Sequence, residues 1–193
     1  MPPAPDAPIA ASGTAAASPR YGYGSLLGVA LTMLALDQLS KEWVRRALPG
    51  LGDAWPAADQ GLGRFFQFLH VHNTGVSFGL FQGRNGLHLA LALSVVAVLL
   101  FYARSLPPQE RIARWAIGFQ IGGALGNAVD RLRLGHVTDF LDFHYRGWHF
   151  PTFNVADISI NVGVWLLILR LWQEAREEAR AAAPGAAAEA PPP

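Results

Sequence analysis

The chain has no cysteine, a single lysine and little charge of either sign: Asp, Glu, Lys and Arg make up 15% of its 193 residues. Without cysteine there is no disulfide framework, no thiolate metal site and no cysteine nucleophile. A formal net charge of +1 is too small to mark nucleic acid as a partner. No HExxH sequence occurs, so the commonest zinc-protease signature is missing. No long internal repeat is present either. What remains is a chain that is 51% hydrophobic, with its apolar residues gathered into blocks. The blocks are roughly 18–22 residues long, about what a helix needs to cross ~30 Å of hydrocarbon.

Residues 1–20 are rich in Pro, Ala and Ser and read as a disordered tail. From Glu174 the sequence EAREEAR predicts a charged helical extension that gives way to an Ala/Pro tail. The domain to be explained is therefore 21–173, with 174–193 as a terminal extension. Four spans are predicted within it, over Tyr23–Ser40, Leu87–Tyr102, Ile112–Arg131 and Ala156–Trp172. The third is Gly-rich and carries Asn127 and Asp130, so hydropathy alone would miss it. Reading the first block as a cleaved signal peptide is disfavoured, because Asp37 and Lys41 follow with no small-residue cleavage site.

Four spans place both termini on one side of the membrane. Arg104, Arg111 and Arg114, around the short connection between spans two and three, assign that side to the cytoplasm. Arg20, Arg170, Arg176 and Arg180 agree, while Arg45, Arg46, Arg64 and Arg84 in the long opposite segment pull the other way. That long segment, 42–86, has β character in RFFQFLHVHN, a turn at Asn73-Thr74-Gly75, and a continuation in VSFGLF. With HVTDFLDFHY at 136–145 it predicts a small sheet. The fold class expected is an all-α membrane protein, a four-transmembrane-helix bundle with a small β-sheet at the outer membrane surface.

Ionisable groups in such segments are costly and point to function by default. Asp37 and Lys41 are four residues apart on one helical face; they are either an interfacial anchor or part of a site. Gly118, Gly122 and Gly126, also spaced by four, would admit another helix backbone. Beyond them come Asn127, Asp130 and Arg131, and span four opens with Asn154, Asp157 and Asn161. Polar ends of spans three and four, packed through the glycine face, would line a shared cavity at one membrane surface.

The segment between those spans separates two nearby acids. If 136–145 is extended, His136, Thr138, Phe140 and Asp142 share one face, and Val137, Asp139, Leu141 and Phe143 the other. Asp142 then has polar neighbours and needs no special explanation. Asp139 stands among apolar residues, and its pKa should rise unless a partner intervenes. Asn154-Val-Ala-Asp157 has the spacing of an N-cap with an acid at the third helical position, where the helix end favours a carboxylate. Asp139 and Asp157 thus form a candidate pair for general acid–base hydrolysis of an amide, one activating water and the other protonating the leaving group.

The ordered set Asp37-Gln-Leu-Ser-Lys41, Asn73-Thr-Gly-Val-Ser-Phe78, Gly122-Gly-Ala-Leu-Gly-Asn-Ala-Val-Asp-Arg131, Val137-Thr-Asp-Phe140 and Phe153-Asn-Val-Ala-Asp157 resembles bacterial lipoprotein signal peptidase, signal peptidase II. The likeness covers about 22–172. It implies an aspartic endopeptidase of the bacterial inner membrane that removes signal peptides from prolipoproteins, cutting before a diacylglyceryl-modified cysteine. By the same resemblance the catalytic aspartates match Asp139 and Asp157. Supporting or substrate-contacting positions match Asp37, Lys41, Asn73, Gly75, Asn127, Asp130, Arg131 and Asn154, with Asp130 the reserve candidate for the dyad. Ser77 stands where alanine is common. The implied partners are a lipidated prolipoprotein and membrane lipids, with no nucleic acid; the enzyme is expected to act as a monomer with no metal and no organic cofactor. Its active site is expected near the outer, periplasmic face, with both termini cytoplasmic, and inhibition by globomycin-like compounds is implied.

Three rival readings make different demands. A metalloprotease would bring His70 and His72 together with His144 and His149. A transporter would space Asp37, Asp130 and Asp157 through the membrane depth, whereas these acids cluster at predicted span ends. A non-catalytic scaffold would tolerate loss of Asp139 and Asp157.

Overall fold

The structure is a computed structural model describing residues 23–75, 83–107 and 109–182. The expected N-terminal tail, the end of the C-terminal tail, the VSFGLF segment and Ser77 lie outside the described residues. Four long helices are present: α1 (Tyr23–Ala47), α2 (Asn85–Ser105), α3 (Arg111–Leu134) and α4 (Val155–Ala182). Each contains one predicted span and overruns it. In α1 the overrun follows from local pairs: Glu42 accepts from Arg45 at 3.0 Å and from Arg46 at 2.7 Å, carrying the helix past Lys41. In α4 the charged extension continues the helix, with Arg170 paired to Glu174 at 3.0 Å.

Helix α3 is the centre of the bundle and packs against α1, α2 and α4. Its glycines divide the work differently from the sequence expectation. A Cβ on Gly118 would lie 2.7 Å from the Leu26 carbonyl oxygen, one on Gly122 would lie 2.6 Å from that of Ala30, and one on Gly126 would strike the Asp37 carboxylate. The four-residue glycine stripe therefore receives α1, not α4. The approach of α4 uses Gly123 and Gly163, whose added Cβ atoms would meet the Ala156 and Ala116 carbonyls. One straight stripe can receive only one neighbour, and α4 lies on the adjacent face of α3.

Among the described residues, only α2 and α4 are long and apolar enough to cross a membrane by length and composition. The charged row of α1 and the arginines, Asn127 and Asp130 of α3 lower the mean hydropathy of those two helices. The four expected spans are thus four helices, of which two meet that measure.

Four antiparallel strands complete the fold in the order β1 (Ala54–Trp55), β2 (Phe66–Asn73), β3 (Val137–Tyr145) and β4 (Trp148–His149). Strand β2 faces β3 with Gln67 opposite Asp142, Val71 opposite Asp139 and Asn73 opposite Val137. The register shifts between Phe68 and Val71, and the Phe153 carbonyl accepts from both Phe140 and Leu141, at 3.0 and 2.8 Å. Phe140 packs on Val44 and Leu48 at the end of α1, which fastens the sheet to the bundle. Burial does not alternate along β3, although the side chains do: Thr138, Asp139 and Phe140 are all buried. Both faces of the strand are covered there, one by α1 and α3, the other by Asn73 and Asn154.

Candidate active site

The site is assembled where the ends of α1 and α3, the start of α4 and strand β3 meet. Helix α4 starts on a reciprocal cap. The Asn154 side-chain oxygen accepts from the Asp157 amide at 3.1 Å, and the Asp157 carboxylate accepts from the Asn154 amide at 3.1 Å. This is the capping arrangement that the Asn154-to-Asp157 spacing predicts, and it satisfies two donors that a helix start leaves open. Another is taken by Asp37, whose Oδ1 accepts from the Ala156 amide at 2.9 Å.

Asp37 and Lys41 are fully buried, which rules out the interfacial-anchor reading. The Lys41 ammonium lies 2.8 Å from Asp37 Oδ2, 2.8 Å from Asn127 Oδ1 and 3.4 Å from Asp130 Oδ2. Buried charges persist only when paired and hydrogen-bonded, and this lysine spends its donors on three partners. Asp130 is also wholly buried. It accepts from the Thr138 amide at 3.0 Å and has Arg45 at 3.7 Å. Its bond to the Thr138 amide fastens β3 to α3.

Asp139 is buried, as its position in the sequence suggested, but its neighbours are polar rather than apolar. Asn73 donates to Oδ2 at 2.8 Å and Asn154 donates to Oδ1 at 2.6 Å. Burial is the main cause of a pKa pushed up to about 7, with the negative charge of Asp157 adding to it and the two amides and Lys41 opposing. Asp157 is only partly buried and takes a hydrogen bond at 3.0 Å from Asn127. Asn127 also accepts from Asn154 at 3.2 Å, so two asparagines link the two carboxylates. Arg131 completes the rim: it donates to the Asn127 carbonyl at 3.4 Å and to that of Gly75 at 3.1 Å, and it lies in the field of Asp139, Asp157 and Asp130. Gly75 in turn donates its amide to Asn73 Oδ1 at 2.9 Å. All ten residues singled out in the sequence therefore join one connected network.

Three members were missed. Gln38 donates to the Gly126 carbonyl at 3.0 Å and reaches Asp37 and Asp130 at 3.2 and 3.3 Å. Arg45 donates to Thr138 Oγ1 at 3.0 Å. Arg45 was legible, since residues 37, 41 and 45 form one helical row; Gln38 and Thr138 left no such signal. Asn161 touches the network only through the backbone carbonyl of Asp157, to which its side chain donates at 2.9 Å.

Five of the six histidines form two groups, and His88 lies apart on α2. His70, His72 and His136 gather on β2 and beside β3, with the rings of His72 and His136 stacked at 3.6 Å. His144 and His149 lie with Asp142. Among the described residues, no metal-binding group combines the four histidines of the metalloprotease reading.

Known proteins are similar to this chain along the same stretch. The family model described as signal peptidase (SPase) II matches residues 29–173. A lipoprotein signal peptidase of Symbiobacterium thermophilum is 39% identical over 145 residues, 74% of this chain and 91% of that protein. One from Moorella thermoacetica is 39% identical over 152 residues, covering 79% and 95% of the two chains. A solved bacterial membrane enzyme, determined by the in meso method, superposes with a TM-score of 0.70 at 26% identity, over 80% of this chain and 92% of its own. A family match over most of the chain, relatives near 40% identity and a shared fold agree: the chain belongs to the signal peptidase II family, a family of peptidases.

Proposed function

We propose that this chain is an intramembrane aspartic endopeptidase that removes signal peptides from prolipoproteins, with Asp139 and Asp157 as its two catalytic carboxylates. The observation that carries the reading is the linkage of a buried, proton-retaining Asp139 to a more exposed Asp157 through Asn127 and Asn154. Two carboxyl groups in unlike settings are what amide hydrolysis needs. Ionised Asp157 takes a proton from water as it attacks the scissile carbonyl, and Asp139 delivers a proton to the departing amine. These roles belong to the dyad with one proton between its two carboxyl groups. Asp37, Lys41, Asp130 and Asn127 hold the scaffold. Asn73, Gly75, Arg131 and Asn154 orient the dyad and the peptide.

The name shared by the relatives supplies the substrate, a prolipoprotein, and in this proposal the cut falls before its diacylglyceryl-modified cysteine. The helices' outward faces support residence in lipid: Leu31, Leu39, Leu91, Val98, Phe101, Trp165 and Ile168 are all exposed. In this reading all four helices cross the bacterial inner membrane, with both termini cytoplasmic and the sheet at the outer face. The enzyme acts as a monomer, and the dyad requires no metal or organic cofactor. A lipid-anchored substrate then presents its scissile bond at a fixed depth, beside the partly exposed Asp157.

The test is cleavage of a lipidated prolipoprotein by Asp139→Asn, Asp157→Asn and Asp130→Asn. The first two should lose about 10²–10⁴-fold in rate, the usual worth of a positioned acid or base, while folding normally in detergent. Full activity in either would end the proposal.

A further inference from the structure

The β3–β4 hairpin carries a second cluster of side chains that the dyad does not use. Arg146 and Gly147 both have positive φ, at 49° and 82°, which makes the two-residue turn that joins twisted strands. The turn puts His144 directly opposite His149, so their side chains project together, and the rings stack at 4.9 Å. Asp142, two residues before His144, adds its carboxylate from below. His144 Nδ1 lies 2.9 Å from Asp142 Oδ2, and His149 Nδ1 lies 3.2 Å from Asp142 Oδ1.

The hydrogen bonds around His144 are the informative part. Its Nε2 is 2.8 Å from the Gly63 carbonyl, and a carbonyl only accepts, so Nε2 carries the proton. In neutral His144 the lone pair of Nδ1 then faces a carboxylate oxygen that is itself an acceptor. Two such acceptors at hydrogen-bond distance are bridged either by a proton or by a metal ion. The surroundings are those of a metal ligand. An imidazole that coordinates through one nitrogen characteristically donates the other to a carbonyl, and a coordinating carboxylate is itself hydrogen-bonded. Gly63 fills the first role and Gln67, donating to Asp142 Oδ2 at 2.8 Å, the second.

We infer that Asp142, His144 and His149 bind one divalent transition-metal ion of the zinc class, at a site separate from the dyad. The donor set is two imidazole nitrogens and one carboxylate, which suits such ions and not magnesium or calcium. All donor atoms lie within 4.8 Å of one another. A tetrahedral ion with the usual bond lengths wants its ligand atoms about 3.3–3.6 Å apart, so the two contacts of Asp142, at 2.9 and 3.2 Å, would open slightly around it. Asp142 is almost fully buried while the His149 side chain is 55% exposed, so the ion has both an anchor and an entry path, with a remaining position open to water. The site shares no hydrogen-bonding residue with Asp139, whose partners are Asn73 and Asn154. Its effect is mechanical: it ties the 3₁₀ turn Gly61–Arg64, through Gly63, to β3 and β4.

The experiment uses the full chain without a polyhistidine tag, purified in detergent and stripped with chelator. Zn²⁺ is titrated by calorimetry, and Co²⁺ by its visible spectrum. One equivalent of Zn²⁺ should bind, Co²⁺ should give an intense tetrahedral band, and Tm should rise with Zn²⁺. His149→Ala and Asp142→Asn should abolish the binding, Gln67→Ala should weaken it about 10–100-fold, and His72→Ala should leave it unchanged. No binding by millimolar Zn²⁺, or equal binding by His149→Ala, overturns the site. Loss of prolipoprotein cleavage on chelation, restored by Zn²⁺, overturns its separateness from the chemistry.

Discussion

Asn154 holds Asp139 through its side-chain amide nitrogen at 2.6 Å and Asp157 through its side-chain oxygen, which caps the Asp157 amide at 3.1 Å. One neutral residue thus fixes the relative position of both candidate catalytic acids. It does so with the same geometry that starts α4. Stability and activity are coupled at this residue, and substitution should separate the two contributions.

Asn154→Ala removes the cap and one hydrogen bond to Asp139. The cap is worth about 1 kcal/mol, which thermal unfolding in detergent should register as a modest fall in Tm. Cleavage should fall much further, because Asp139 loses its shortest orienting contact. A rate loss no larger than the loss of folded protein would remove Asn154 from the site.

The raised pKa of Asp139 gives two pH signatures. As the acid that protonates the leaving amine, Asp139 must hold its proton, so the rate should decline as pH rises through about 7. Asn73 donates to its ionised form and opposes the rise. Asn73→Ala should therefore move this alkaline limb to higher pH. An unmoved limb would assign the ionisation to another group.

The second signature is in stability. Between the ordinary value of 3.8 and about 7, the folded chain keeps a proton on Asp139 that the unfolded chain has released. The stability from this group is complete below the lower value and is lost as pH rises through the higher one. Tm of the parent chain should show that decline, and Tm of Asp139→Asn should lack it. Parallel curves would refute the assignment.

Lys41 bridges the buried Asp37 and Asp130, and Lys41→Met would leave Asp37 without its charged partner in the bundle. The cost should be about 3–5 kcal/mol, as for other broken buried pairs. The double variant Lys41→Met/Asp37→Asn should recover part of it. Additive losses in the double variant, measured by thermal unfolding, would mean that the pair is not coupled.

Gly126 and Gly28 are both helical glycines with opposite expectations. A methyl group on Gly126 would collide with the Asp37 carboxylate, whereas one on Gly28 meets nothing within 4 Å. Gly126→Ala should lower Tm and impair cleavage. Gly28→Ala should be neutral or stabilise by about 0.5–1 kcal/mol through helix propensity. Equal behaviour of the two would contradict the packing of α3 on α1.

Local rules made much of this protein legible in its sequence. Apolar block length marked the helices except the Gly-rich third, the Asn154–Asp157 spacing marked the reciprocal cap, and the i,i+4 relation marked the Asp37–Lys41 pair. These features depend on residues a turn or less apart, where backbone geometry alone dictates what meets what. The neighbours of Asp139 did not follow from alternation along 136–145, because the strand is covered on both faces and Asn73 and Asn154 arrive from other elements. For the same reason the glycine stripe could be read as a close-packing face but not assigned to α1, and Asp142 could be passed over although it is more deeply buried than Asp139. Sequence spacing determined which side chains share a face. Only the tertiary structure decided which faces meet, because the approach of α1 and α4 to α3, and of β2 to β3, depends on contacts between distant segments.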